Sequence, residues 1–184
     1  MRLFAAVVPS APAVRELRSA MVSLPKLDIT WTDPADWHLT LVFFGDVPED
    51  RRPALSATLA DVAARTGPVR IHLSGGGHFD SRVLWAAVGG GIEGLHSLSQ
   101  AIRKGATTAN VDFDSRPFRP HLTLAFARRR HEHGTNDSPA DIRPLADALT
   151  NFDSTPWNTD KLLLMSTRPG HSPSYTIEES WNLT

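Results

Sequence analysis

Cysteine is absent from the 184 residues, which removes disulfide frameworks, thiolate zinc sites, iron–sulfur clusters and a cysteine nucleophile in one step. That absence fits a reducing compartment. A surplus of either charge is missing as well. Nineteen Lys plus Arg stand against twenty Asp plus Glu, for a net charge of −1, whereas a surface that coats a long duplex needs many uncompensated cations. A small phosphate-containing ligand stays compatible with this balance. Long apolar runs are lacking too: the longest, residues 3–8, is far below the roughly 20 residues that cross a bilayer as a helix. Arg2, that run and Ser10-Ala11-Pro12-Ala13 imitate a secretory signal. The run is shorter than the roughly 7–15 residues of a signal core, and Pro9 and a polar helix follow at once. The expectation is a cytoplasmic protein without membrane contact.

What is present is the composition of one ordinary globular domain, 41% hydrophobic and 21% charged, and a chain of this length can bury roughly 70% of its unfolded surface. Residues 2–8 read as a strand buried on both faces and stopped by Pro9. Ser10 is the expected N-cap of a helix whose apolar positions are Val14, Leu17, Met21 and Leu24. A strand is predicted over residues 37–44, a helix over 48–64 with Leu55, Leu59, Val62 and Ala63 inward, and a stop at Gly67-Pro68. Residues 69–73 and 83–88 read as two strands joined across Gly75-Gly76-Gly77, followed by a helix over 92–104. Further on come a strand over 121–127, a polar loop over 128–138, and a helix over 139–149. Strands over 161–167 and 175–181, joined by a hairpin turn at Arg168-Pro169-Gly170, close the chain. No linker divides it, so residues 1–184 are read as a single domain.

The sequence His38-Leu39-Thr40-Leu41-Val42-Phe43 returns 83 residues later as His121-Leu122-Thr123-Leu124-Ala125-Phe126, identical at five of six positions. Internal duplication is the simplest cause. In a strand the period of two puts His and Thr on one face and the two Leu and the Phe on the other. A lone His-x-Thr is an ordinary surface feature. A duplicated core would explain repeated Leu and Phe, but gives no reason to keep a polar His and Thr as well. If the halves pack about a pseudo-two-fold axis, two imidazoles and two hydroxyls converge on one cleft. Transfer at phosphorus needs a base for the nucleophile and an acid for a poor alkoxide leaving group, and histidine, with an unperturbed pKa of about 6.5, serves as either. The hydroxyls of Thr40 and Thr123 can hold the nonbridging oxygens. No metal or other cofactor is needed.

The two motifs resemble those of the 2H phosphoesterase superfamily, and the chain looks most like its bacterial RNA 2′,3′-cyclic phosphodiesterase (2′-5′ RNA ligase type) members. Further segments carry the resemblance: Arg2-Leu3-Phe4-Ala5, Trp31, Phe43-Phe44-Gly45, Arg82-Val83-Leu84-Trp85, and Arg116-Pro117-Phe118-Arg119-Pro120-His121. It implies a bilobal α+β fold, two pseudo-two-fold-related lobes that each hold an antiparallel sheet flanked by helices, with the active-site cleft between them. It implies His38 as proton donor, His121 as the proton acceptor that activates water, and a 2′-phosphomonoester product. Thr40, Thr123, Arg119, Arg128, Phe43 and Tyr175 are the expected substrate contacts. The chain departs from the family at Phe126, where Arg is common and where Arg128 lies two positions further on the same strand face, and at Val42, where Lys is common. The expected partners are RNA ends or nucleotides with a 2′,3′-cyclic phosphate, bound by a monomer with no obligate protein partner. Ligation through a 2′-5′ linkage, hydrolysis of a small cyclic nucleotide, and plain nucleotide or RNA binding are the alternatives.

Five arginines, Arg116, Arg119, Arg128, Arg129 and Arg130, fall between Ser115 and His131 without an acid among them, and such a cluster would attract a polyanion terminus without reading its sequence. Arg119 is the stronger candidate. Tyr175, the only tyrosine, could stack on a base; Trp31 reads as core or rim packing. Gly89-x-Gly91-x-x-Gly94 formally satisfies a dinucleotide fingerprint, but residues 107–114 are too short and polar for the parallel strand that should follow. His131-Glu132-His133 lies in polar loop sequence with no third ligand nearby. His72, His78, His96 and His171 are read as structural or surface side chains.

Overall fold

The computed structural model describes residues 1–127 and 140–184. Arg2–Val7 (β1) is buried from Leu3 onward on both faces, as an unbroken apolar run of this length requires. Ser10 Oγ then accepts a hydrogen bond from the Ala13 N–H and caps Ala11–Met21 (α1), which turns Ala13 and Leu17 inward. Ile29–Trp31 (β2) and Leu39–Asp46 (β3) follow, separated by a 3₁₀ turn at Pro34–Asp36 whose cap is the Asp33 side chain. A second 3₁₀ turn, Glu49–Arg51, opens Arg52–Ala63 (α2).

Val69–Phe79 (β4) and Val83–Gly90 (β5) form an antiparallel hairpin, and here the expected join moves. Gly75, Gly76 and Gly77 lie inside β4, and the chain reverses at Asp80 and Ser81, whose φ values of 50° and 52° are those of a tight hairpin turn. The glycines serve close approach. A Cβ on Gly76 would sit 2.7 Å from the Leu149 side chain, and one on Gly77 would overlap the Trp85 ring. Ile92–Thr108 (α3) runs a turn longer than expected. A Cβ on Gly91 or Gly94, two glycines of the dinucleotide-like pattern, would come within 2.8 or 2.9 Å of the Val69 side chain. Those residues let α3 lie close against the start of β4, in an antiparallel sheet rather than the parallel one such a site needs.

His121–Ala127 (β6), Arg143–Ala148 (α4), Trp157–Thr159 (β7), Lys161–Thr167 (β8) and Tyr175–Asn182 (β9) complete the chain. The α4 helix is shorter than its sequence suggested, and β2 and β7 are three-residue edge strands that carry no readable period. The strands make two antiparallel sheets, ordered β3-β1-β8-β9 and β2-β6-β5-β4-β7. This is the α+β architecture with one antiparallel sheet for each copy of the motif. β3 and β6 correspond: each pairs with the strand, β1 or β5, that lies inside its own sheet. Helices bury Leu17, Leu55, Leu59, Leu95, Leu98, Ile102 and Leu145 against the sheets, in one contiguous apolar cluster.

Candidate active site

Both motif strands carry a β-bulge at the same position. Along β1, Ala6 faces Thr40 and Ala5 faces Val42, so Leu41 is the extra residue. Along β5, Trp85 faces Thr123 and Leu84 faces Ala125, so Leu124 is extra. A bulge reverses the parity of the strand beyond it. Phe43 therefore joins Thr40 on the cleft side, and Phe126 is 45% exposed. Simple alternation sent both rings inward with the leucines; the bulge corrects that, and it is also what puts Phe43 among the cleft residues.

A bulge takes a carbonyl out of the ladder, and a buried acceptor needs a donor. The buried Ser99 hydroxyl of α3 donates to the Leu41 carbonyl at 2.8 Å. The Leu124 carbonyl accepts from the Thr32 N–H and from Thr32 Oγ1, both at 2.9 Å. Thr32 Oγ1 also stands 3.0 Å from the Thr123 carbonyl and accepts from the Trp37 indole N–H at 3.0 Å. Trp37 precedes His38, so this hydroxyl ties the entry of the first motif to the backbone of the second.

Each histidine is held in the same way. His38 Nδ1 lies 2.7 Å from the Asp36 carbonyl and His121 Nδ1 lies 2.7 Å from the Arg119 carbonyl. A carbonyl only accepts, so each Nδ1 carries a proton and Nε2 is left as the working nitrogen. His38 is walled by Phe4 and Tyr175, with ring centroids 4.9 and 4.8 Å away. His121 meets Phe79 edge-on at 4.9 Å and Trp85 at 6.3 Å. Burial pushes the His38 pKa below its ordinary value, the Asp36 carbonyl and carboxylate oppose that, and the charge of His121 adds to the lowering. The two imidazoles are thus within electrostatic reach of each other.

The buried Asp36 carboxylate accepts the Ser174 N–H with its two oxygens at 2.8 and 3.0 Å. Ser174 precedes Tyr175, so Asp36 holds both walls of the His38 pocket: the imidazole through its carbonyl, the Tyr175 ring through the neighbouring amide. Burial raises the Tyr175 pKa, and the Asp36 charge adds to it. The hydroxyls of Thr40 and Thr123 have no hydrogen-bond partner among the described residues.

A cleft of about 830 Å³ opens between the sheets, lined by Thr40, Phe43, Phe79, Arg103, Arg119 and His121 with their neighbours. That volume is within the range of small-molecule sites. Strand β3 and the start of β6 therefore share one cavity, although His38 and Thr123 are not among its lining residues. The Arg119 side chain is exposed on the wall. Arg116 is forked onto the Asp114 carboxylate, which it holds down at a pKa of about 2. Arg128, Arg129, Arg130 and the His131-Glu132-His133 triplet lie outside the described residues. Among the described residues no group of three or more His, Asp or Glu could hold a metal. His78, expected to be structural or surface, lies exposed on the cleft wall, and Trp31 pairs with Ala125 at the edge of β6. Phe4, Asp36, Phe79 and Arg103 went unread because none belongs to the repeated motif; only Phe4 lay in a segment already marked by resemblance.

Two antiparallel sheets, each carrying one His-x-Thr strand with its imidazole anchored through Nδ1, and a cleft lined by Thr40 of one and His121 of the other, define a two-lobed α+β protein with a duplicated motif. The family model described as the 2′-5′ RNA ligase superfamily matches residues 7–170, and the chain belongs to that superfamily. A protein of Geobacillus stearothermophilus named RNA 2′,3′-cyclic phosphodiesterase is 30% identical over 149 residues, which cover 79% of this chain and 45% of that protein. The chain therefore spans less than half of that relative. An Aquifex aeolicus protein of the same name is 26% identical over 162 residues, 83% of this chain and 81% of that one. Among solved structures, one from Thermus thermophilus superimposes with a TM-score of 0.74 at 26% identity, covering 100% of this chain and 98% of that one. Escherichia coli LigT in its apo form shares the fold, with a TM-score of 0.72 at 24% identity and coverage of 100% and 97%.

Proposed function

We propose that the chain hydrolyses RNA ends bearing a 2′,3′-cyclic phosphate to 2′-phosphomonoesters, with both motif copies forming one catalytic unit. The observation that carries the reading is the matched anchoring of His38 and His121, each Nδ1 on the carbonyl two residues earlier. His121 Nε2 takes a proton from water as its oxygen forms a bond to phosphorus. The bond from phosphorus to the 3′ oxygen breaks, and His38 gives that oxygen its proton, leaving the phosphate on the 2′ oxygen. His38 starts as the imidazolium, with its Nδ1–H kept on the Asp36 carbonyl, and His121 ends as one on the Arg119 carbonyl. The hydroxyls of Thr40 and Thr123, unpartnered among the described residues, donate to the nonbridging oxygens as charge gathers there. Positioned acid–base pairs of this kind contribute about 10²–10⁴-fold per group, and a metal has no step to perform.

The relatives named RNA 2′,3′-cyclic phosphodiesterase support the substrate class. Among the described residues no helix is long and apolar enough to cross a membrane, and the reading carries with it a monomer working in the cytoplasm. The test is hydrolysis of a nucleoside 2′,3′-cyclic phosphate and of a short RNA with the same end, in EDTA, with the 2′- and 3′-phosphate products resolved. A 2′-phosphate product from both is expected. Binding without turnover would reduce the histidines to ligand contacts, and turnover that needs a divalent ion would overturn the metal-free mechanism.

A further inference from the structure

The proposed reaction occupies the end of the cleft near His121 and Thr40, yet the same cavity continues to Phe118, Arg116 and Arg103. Arg103, on α3, is half-buried there. Its guanidinium lies 5.5 Å from the Phe113 ring centroid, and Nη2 donates to the Arg116 carbonyl at 2.7 Å. Its Nε is buried with no hydrogen-bond partner, and no carboxylate pairs with it among the described residues. Asp114, whose charge reaches Arg103, spends both carboxylate oxygens on Arg116. A guanidinium has five donors in a rigid plane. Here the plane is set by Phe113, Nη2 is engaged by a carbonyl, and no carboxylate among the described residues hydrogen-bonds to the group on the wall of an open cleft. Phosphate matches that arrangement, because a guanidinium meets it with short charge-assisted hydrogen bonds.

We propose that Arg103 forms a second phosphate subsite, which takes the 5′-phosphate of the nucleotide whose 2′,3′-cyclic phosphate reacts. In an RNA strand that group is the last internucleotide phosphodiester. The inference rests on the cyclic phosphodiesterase reading and sharpens it: the substrate is a strand end, or a 5′-phosphorylated cyclic nucleotide, in preference to a nucleoside 2′,3′-cyclic phosphate with a free 5′-hydroxyl. A single added contact also suits a chain of net charge −1, which has no excess of cations for a longer track.

The experiment compares kcat/KM for adenosine 2′,3′-cyclic phosphate with and without a 5′-phosphate, in the wild type and in R103Q and R103K. The wild type is expected to favour the 5′-phosphorylated substrate by roughly tenfold, a charged hydrogen bond's worth, and the preference should shrink as salt rises. In R103Q the ratio of the two values should fall to about one, whereas R103K, which keeps the charge without the fork, should hold an intermediate ratio. Folding is checked by circular dichroism, and the wild-type salt series needs no variant. A wild type without the preference, or R103Q with the wild-type ratio, overturns the subsite while leaving the reaction in place. Absence of turnover on either substrate overturns the reaction itself.

Discussion

The two motif strands share five residues in six and one bulge, but their surroundings differ. On β3 the bulge carbonyl of Leu41 is capped from α3 by the buried Ser99, and His38 sits enclosed by Phe4 and Tyr175. On β6 the bulge carbonyl of Leu124 is capped by Thr32 from the edge strand side, and His121 stands at the open cleft beside Phe79. The backbone device is common to both; the enclosure is not. The proposed reaction needs one imidazole as acid and one as base, and what distinguishes the two here is the neighbouring side chains outside the motif.

Removing either imidazole is the largest break. His38→Ala and His121→Ala should each lower kcat by about 10²–10⁴-fold, with the double variant little slower than the worse single one, because the two act in one step. Steady-state kinetics on a 2′,3′-cyclic nucleotide measures this, and near-wild-type rates would dissolve the comparison. Next come the caps. Ser99→Ala and Thr32→Val should each cost about 1–3 kcal/mol of stability in denaturant titrations, the first because it strands the Leu41 carbonyl, the second because it takes the acceptor from the Trp37 indole N–H while the Thr32 N–H still caps Leu124. Only Thr32→Val also frees Trp37, so it should depress kcat further than Ser99→Ala does. Equal kcat in the two variants would refute a link between the motifs through Thr32.

The subtler test concerns protons. Burial favours neutral His38, so the unfolded chain binds the extra proton more readily and this residue's contribution runs in one direction. It is present above the ordinary histidine pKa of about 6.5 and is lost as the pH drops through the lowered folded value. Because the donor must be protonated, kcat/KM should decline as pH rises past that value. Tyr175→Ala opens the wall and should move the His38 NMR titration upward toward the ordinary value; an unmoved titration would show that Tyr175 does not enclose the ring.

The His-x-Thr repeat, the buried β1 and the Ser10 cap were legible because each is a local pattern with its own period or chemistry. The bulges were not. A one-residue parity change leaves no mark in a run of apolar residues, so Phe43 read as an inward residue by alternation while resemblance made it a contact. Gly75, Gly76 and Gly77 read as a turn because glycine permits one; their use under Leu149 and Trp85 depends on neighbours far along the chain. Asp36 gave no signal either, since it acts on His38 through its carbonyl, which every residue has.

The paired bulges also bear on ancestry. Both copies kept the extra residue, yet one found its hydroxyl downstream in a helix and the other upstream beside a strand. Under internal duplication the kink is what the two halves hold in common, and the hydroxyls that cap it, drawn from different elements, are what they do not.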